Sequence, residues 1–402
     1  LIEGTLCSIK LGDQYPVRIM AVINLSRESF YKGSVSGPAD ALARAMALVE
    51  EGADILDLGA VSTAPGAPET CLAEERERMM PVIKAIASNL EVGISVDTQR
   101  AAVAGEALTL GATCINDVSG LCDPSMARTV ADHGASTVIM ASRNRPGDLL
   151  TMGEVIPLLS ERIRSAIEAG VSPDKVTVDP GIGHWIPDKS PEYDLALMDG
   201  MRRLRVLRKP VMAALSRKSF LGAILSRPDP SQRLPGTLAA TAIAVYNGAH
   251  IVRTHDVAAS LDAIQVARAA RGRIPFAGNA EILSWLGQGD DLQETLRRLE
   301  VDERGVQVLC KKSSFRVISL SNLSSMEAII IKQEMLALGG DAATPKLALR
   351  CDPKPEEILV MGTVSQITKL VKSLERQPFN LPAISKAINA ALKQMDDPKR
   401  YR

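Results

Sequence analysis

The sequence predicts an α/β protein, a (β/α)8 TIM barrel followed by a smaller α/β domain. Three observations carry this. Short apolar, β-branched runs alternate with longer segments of helical spacing from Arg18 to Gly272. Eight such units fit within the roughly 250 residues that a barrel of this kind occupies. After Arg273 the rhythm breaks and a different mixture of helix and strand follows. An open doubly wound sheet is the competing arrangement for the first region.

Taken in order, residues 1–17 form a lead-in. The expected barrel strands are RIMAVIN (18–24), DILDLG (54–59), VGISVD (92–97), TCIND (113–117), STVIMA (136–141), KVTVD (175–179), PVMAALS (210–216) and AHIVRT (249–254). Each is short and apolar enough to be buried on both faces of a parallel sheet. Between them, ADALARAMALVEEG, AEERERMMPVIKAIAS, RAAVAGEALTLG and GTLAATAIAVYNG read as helices. Several end in Gly just before the next strand, as a capped helix leading into a strand requires. The barrel therefore covers 18–272, RGRIPFAGNAEIL opens a linker over 273–285, and 286–402 is a small α/β accessory domain.

Composition narrows the function classes. Hydrophobic residues make up 46% and charged residues 23%, enough to bury full cores. Basic and acidic residues balance at 47 each, so no concentrated basic surface marks a nucleic-acid or membrane partner. Aromatics at 3% argue against base-stacking platforms. No apolar run reaches the ~18 residues of a membrane helix, and the N-terminal stretch lacks the basic-then-apolar order of a signal peptide. Six scattered cysteines without a C-x-x-C pair fit reduced thiols in the cytoplasm, and four histidines argue against a histidine-rich metal site.

In a barrel, polar residues at the carboxyl ends of strands share one rim. Here those ends carry Asn24, Asp97-Thr98, Asn116-Asp117, Asp179, Ser216-Arg217-Lys218-Ser219 and Arg253-Thr254-His255-Asp256. A single aspartate in such a place is more often a helix cap or loop anchor. The alternative for S-R-K-S alone is a solvated turn at the barrel rim, and for R-T-H-D alone an ion pair closing the barrel. Together they sort by charge. Asp97, Asn116 and Asp179 are acceptors suited to a ligand edge with several N–H donors in a row, where a carboxylate accepts two parallel hydrogen bonds. Lys218, Arg253 and His255, with Asn24 nearby, suit a phosphate or diphosphate. A ligand with a guanidine-like head and a phosphate tail satisfies both.

These residues lie in segments that resemble the dihydropteroate synthase family. IMAVINLSRESFYKGS is similar to the first strand and first loop of that family, and DLGAVSTAPGAPE to its second loop. SVDTQR and INDVSG resemble its third and fourth strands, VDPGIG its sixth, and ALSRKSFLG and VRTHDV its seventh and eighth. The resemblance covers residues 18–257 with the motifs in family order. It implies condensation of 6-hydroxymethyl-7,8-dihydropterin diphosphate with an arylamine, release of diphosphate, Mg²⁺ as the cofactor, and a homodimer. Carried over, Asp97, Asn116, Asp179 and Lys218 would hold the pterin, and Arg253 and His255 the diphosphate. Asn24 would join the metal–diphosphate site. Phe30, Lys32, Thr63, Pro65, His184 and Ser219 would border the arylamine.

Three departures fall on the anion and second-substrate side. The family's S-T-R-P is Ser62-Thr63-Ala64-Pro65 here, its D-S-F-S-D is Glu28-Ser29-Phe30-Tyr31-Lys32, and its F-G-K is His184-Trp185-Ile186. These variants resemble the archaeal branch, associated with tetrahydromethanopterin-type cofactors, whose arylamine is a ribofuranosyl-aminobenzene phosphate. On that likeness Lys32, with His184 or Arg143, would accept an extra phosphate. The rival readings are a pterin or folate methyltransferase with a corrinoid partner, which has no use for a diphosphate site, and a non-catalytic pterin-binding paralogue. KQEMLALGGDAA, LVMGTVSQITKLVKSLERQPF and LPAI resemble a module of long bacterial family members, where it precedes the barrel. That region is expected to serve packing or oligomerisation, with an anion nest between Lys332 and Gly340 as the alternative.

Overall fold

A computed structural model describes residues 1–26, 37–61, 70–183, 186, 189–272, 276–277, 280–281, 289–345 and 356–394. The chain divides into two compact units, Leu1–Ile282 and Leu283–Arg402.

The first unit opens with a hairpin, β1 (Glu3–Leu6) and β2 (Ile9–Gly12), where the sequence suggested only a lead-in. Its two-residue turn places Cys7 and Ser8 at positive φ, the geometry that matches strand twist in tight hairpins. Eight strands follow at nearly the expected places: β3 (Arg18–Asn24), β4 (Ile55–Gly59), β5 (Gly93–Asp97), β6 (Cys114–Asp117), β7 (Ser136–Met140), β8 (Val176–Asp179), β9 (Met212–Ala213) and β10 (Ile251–Thr254). They form one parallel sheet in the order β8-β7-β6-β5-β4-β3-β10-β9. A parallel bridge between Val178 and Val211 joins its two ends and closes the barrel. Helices fill the crossovers, among them Pro38–Glu50, Leu72–Asn89, Met152–Glu168, Leu234–Tyr246 and Val257–Arg271.

The hairpin seals one end of the ring. Leu6, Cys7 and Leu11 pack with Met20, Ile55, Cys114, Val138, Met212 and Ile251 in a single apolar cluster. Gly93 makes room for it, since a Cβ there would overlap Cys7 at 2.5 Å. Asp13, just beyond β2, locks the hairpin in place. Its carboxylate accepts from Arg205 Nη1 at 2.7 Å and Nη2 at 2.9 Å, and from the Ile2 amide at 2.7 Å. His250 Nε2 lies 3.3 Å away. These partners outweigh burial and hold the Asp13 carboxyl far below the usual carboxylate range.

In the second unit, Phe315–Leu323, Glu356–Thr363 and Asp341–Ala343 form an antiparallel sheet with Glu356–Thr363 in the centre. Helices Ser325–Ala337, Val364–Leu374 and Leu381–Gln394 cover one face, around Ile331, Met335, Val360, Leu370 and Leu374. The expected alternative of an anion nest at Gly339-Gly340 is not what the backbone does there. The Gly339 and Gly340 amides donate to Leu336 and Met335 carbonyls, capping the preceding helix instead of facing a ligand.

Candidate active site

Strand register sets the rim. Asn24, Gly59, Asp97 and Asn116 pair in one row across β3 to β6, and Asp179 lies opposite Met140 at the end of β8. Side chains alternate along a strand, so Asp57 faces the same way as Gly59 but one row deeper. The structure makes Asp57 the centre of the network, although sequence reasoning passed over it. With no exposed side-chain surface, its Oδ2 accepts from Asn116 Nδ2 at 3.1 Å and from Arg253 Nε at 2.6 Å. Arg253 Nη2 continues to Asp97 Oδ2 at 2.8 Å. The available signal was a charge in the middle of an apolar run, D-I-L-D-L-G, where a buried aspartate needs a partner.

The acceptor and donor groups are thus interleaved, not segregated as the charge sorting suggested. Burial opposes the charge on Arg253, but Asp57 and Asp97 outweigh it and raise its pKa. Asp97 is pushed up to about 7 by burial, against the pull of Arg253 and with the help of the neighbouring Asp57 charge. Asn116 commits its amide nitrogen to Asp57, so its oxygen is the end left for a ligand donor.

Across the rim, Asp179 and Lys218 form the second group. Asp179 Oδ1 accepts from the Gly181 amide at 2.7 Å, and burial raises its pKa while Lys218 works the other way. Lys218 Nζ donates to the Ile182 carbonyl at 2.5 Å, and burial pushes it down to about 8, opposed by Asp179. The lysine crosses Gly183 so closely that a Cβ there would overlap its methylenes, and Gly183 also has φ of +81°. Lys189 and Asp194, both fully buried, brace the same loop. Lys189 Nζ meets Asp194 Oδ1 at 2.9 Å and the Gly181 carbonyl at 3.0 Å, and Asp194 Oδ1 accepts from the Gly183 amide at 2.8 Å. Neither residue stood out in the sequence, because their pairing spans a loop without a motif.

His255 completes the rim. Its Nδ1 is 2.9 Å from Ser216 Oγ and its Nε2 is 3.4 Å from Asn24 Nδ2. Burial, then Arg253, pushes its pKa down to about 4, so the ring is neutral at pH 7. The adjacent residues serve structure. Arg217 forms a two-bond pair with Asp256 at 2.8 and 2.7 Å, tying the ends of β9 and β10 together. Asp117 caps its own turn through Ser119 and Leu121. Ser219 is the exposed first residue of helix Ser219–Ile224. Phe30, Lys32, Thr63, Pro65 and His184 lie outside the described residues, and Arg143 is exposed on the loop after β7.

The structure therefore bonds Asn116 and Arg253 to Asp57 and Arg253 in turn to Asp97, and sets Asp179 beside Lys218 and His255 beside Asn24. Arg253 links the groups, since its charge is felt by both Asp179 and His255. Among the described residues, no group of three or more His, Cys, Asp or Glu side chains could hold a metal ion, and no helix is long and apolar enough to cross a membrane.

A family model described as "Pterin binding enzyme" matches residues 20–255. The chain is 38% identical over 262 residues to a dihydropteroate synthase of Synechocystis, covering 62% of this chain and 89% of that one. It is 39% identical over 261 residues to a probable bifunctional folylpolyglutamate synthase/dihydropteroate synthase of Halobacterium salinarum, covering 63% of this chain and 31% of that one. Bacterial and archaeal relatives thus match to a similar degree. A dihydropteroate synthase structure from Coxiella burnetii in complex with pteroic acid superposes with a TM-score of 0.61 at 34% identity, over 68% of this chain and 99% of the other.

Proposed function

This chain belongs to the pterin-binding enzyme family and is a dihydropteroate-synthase-like transferase of folate biosynthesis, and on that premise we propose which residues do the work and on which arylamine. Asp97, Asn116 and Asp179 accept from the amino-pyrimidine edge of 6-hydroxymethyl-7,8-dihydropterin diphosphate, and Lys218 donates to the ring's carbonyl side. Arg253 and His255 take the diphosphate, and Asn24 lies at the metal–diphosphate corner. The arylamine is p-aminobenzoate, in keeping with the pteroic acid named for the Coxiella relative. The observation that supports this reading best is the unbroken chain of hydrogen bonds from Asn116 through Asp57 and Arg253 to Asp97, which joins two acceptors and a cation at the same end of the barrel.

The chemistry asks for little acid–base help. The C–O bond to diphosphate breaks with its electron pair leaving on the diphosphate, and the pterin ring stabilises the methylene cation. The arylamine nitrogen, neutral at pH 7, attacks that carbon and then sheds a proton. Catalysis comes from fixed charge and hydrogen-bond donors where the anion develops: Arg253 supplies the positive charge, and the neutral His255 ring beside it can offer only an N–H. The amide oxygen of Asn24 is a hard ligand of the kind Mg²⁺ takes, and Asn24 would help hold the ion beside the diphosphate. When bound, Mg²⁺ neutralises charge on the leaving group.

The test measures diphosphate release from dihydropterin diphosphate with p-aminobenzoate, with its ribofuranosyl-phosphate analogue, or with no arylamine, each with Mg²⁺ or EDTA. Release that needs p-aminobenzoate and Mg²⁺ supports the reading. Preference for the phosphorylated arylamine would move the pathway to a tetrahydromethanopterin-type cofactor, and methyl transfer to cobalamin or binding without turnover would replace the reaction. A homodimer is part of the same proposal, checked by light scattering.

A further inference from the structure

Asp57 is a fully buried carboxylate to which the reading above gives no task. It lies below the rim and holds two groups that a ligand does meet, Asn116 and Arg253, both through Oδ2. Its Oδ1 makes no hydrogen bond among the described residues, so the whole grip passes through one oxygen. Arg253 is consequently anchored at Nε, with Nη2 laid across Asp97 Oδ2. That placement covers an oxygen that the pterin head needs. The guanidinium is a rigid fork of five N–H donors. It can keep Nε on Asp57 while its other nitrogens turn away from Asp97.

We propose that Asp57 is a positioning residue, the pivot on which Arg253 passes from Asp97 in the empty site to the diphosphate in the loaded one, uncovering Asp97 for the pterin. The inference rests on the reading of the rim as a pterin diphosphate site. The physical reason for two carboxylates is charge. A largely buried guanidinium held by Asp97 alone would leave its only counter-ion on release, a penalty in a site of reduced dielectric. With Asp57 retained, it stays neutralised throughout the transfer. The same carboxylate fixes the Asn116 amide, so one residue sets both the acceptor end and the donor end of the site.

The pivot makes head and tail binding interdependent, and that is measurable with the full-length protein. Inorganic diphosphate with Mg²⁺ should tighten binding of 6-hydroxymethyl-7,8-dihydropterin by about tenfold, and reciprocally. Asp57→Asn keeps the shape and should abolish the coupling. It should also move the acid limb of kcat/KM for the pterin substrate to lower pH. The groups facing Asp97 are Arg253, Asp57, Asp117 and Glu75, and the substitution removes one of the three like charges that raise it. A merely structural role would lower thermal stability and leave the coupling between diphosphate and pterin in place. Absence of coupling in the wild type overturns the pivot without needing any variant to fold. So does undiminished coupling in folded Asp57→Asn. Failure of wild-type turnover with every arylamine would instead fell the underlying assignment, since the coupling is read from binding alone.

Discussion

Replacing Asp13 with alanine probes the lock on the N-terminal hairpin, far from the rim. The carboxylate holds both Nη atoms of Arg205, the Ile2 amide and His250, and the Arg205 and Asp13 side chains are only 8% and 3% exposed. Truncation leaves a buried guanidinium without its counter-ion, which costs about 3–5 kcal/mol. A domain is stable by only about 5–15 kcal/mol, so the melting temperature should fall on the order of 10 °C. The pH dependence has a definite sign. The folded-state pKa of Asp13 is depressed below its ordinary 3.8, so its contribution is full above that value and fades as pH falls below it. The gap between wild type and Asp13→Ala should be widest near neutrality and narrow below about pH 4. Urea unfolding followed by circular dichroism at pH 7.5 and pH 3.5 measures both, and kcat/KM at 25 °C should stay within about twofold. A destabilisation under ~1 kcal/mol, or one that persists unchanged in acid, would refute the reasoning.

Two further outcomes follow from the rim. Burial pushes Lys218 down to about 8, so the pterin substrate's kcat/KM should fall with a basic limb near pH 8, and Lys218→Met should remove that limb along with most of the activity. Lys189→Met strands Asp194 in the core and should cost about 3–5 kcal/mol while raising KM for the pterin substrate. The double replacement Lys189→Met/Asp194→Leu should recover much of the stability in denaturant melts, but not the KM, because the Gly181–Gly183 backbone loses its braces.

Strand positions were legible because a parallel strand buried on both faces must be apolar along its length. RIMAVIN coincides with Arg18–Asn24 to the residue. PVMAALS overreached, since only Met212 and Ala213 pair as strand before the chain turns into the Ser216–Lys218 segment. The rim was legible for the same reason, as polar residues interrupting apolar runs at their carboxyl ends. Asp57 escaped notice because it interrupts a run in the middle, and only the register reveals which row it joins. Arg253 was assigned to the tail by its charge, yet its length lets it reach carboxylates on β4 and β5, a relation between distant strands. The hairpin and the Lys189–Asp194 brace are likewise products of packing, with partners up to 237 residues away for Asp13.

The ring is not equally stitched around its circumference. From β3 to β8 neighbouring strands share ladders of three to five paired residues. At the join between β8 and β9 there is a single bridge, and β9 meets β10 through two residues. Amide protons there should exchange soonest, as the least protected part of the sheet. Asp57, Asp97 and Asn116 stand on the stiff arc, whereas Asp179 and Lys218 face each other across the loose seam. The carboxyl end of the barrel thus has a firmly paired side and a loosely paired one, and Asp179 and Lys218 stand where the ring is least held.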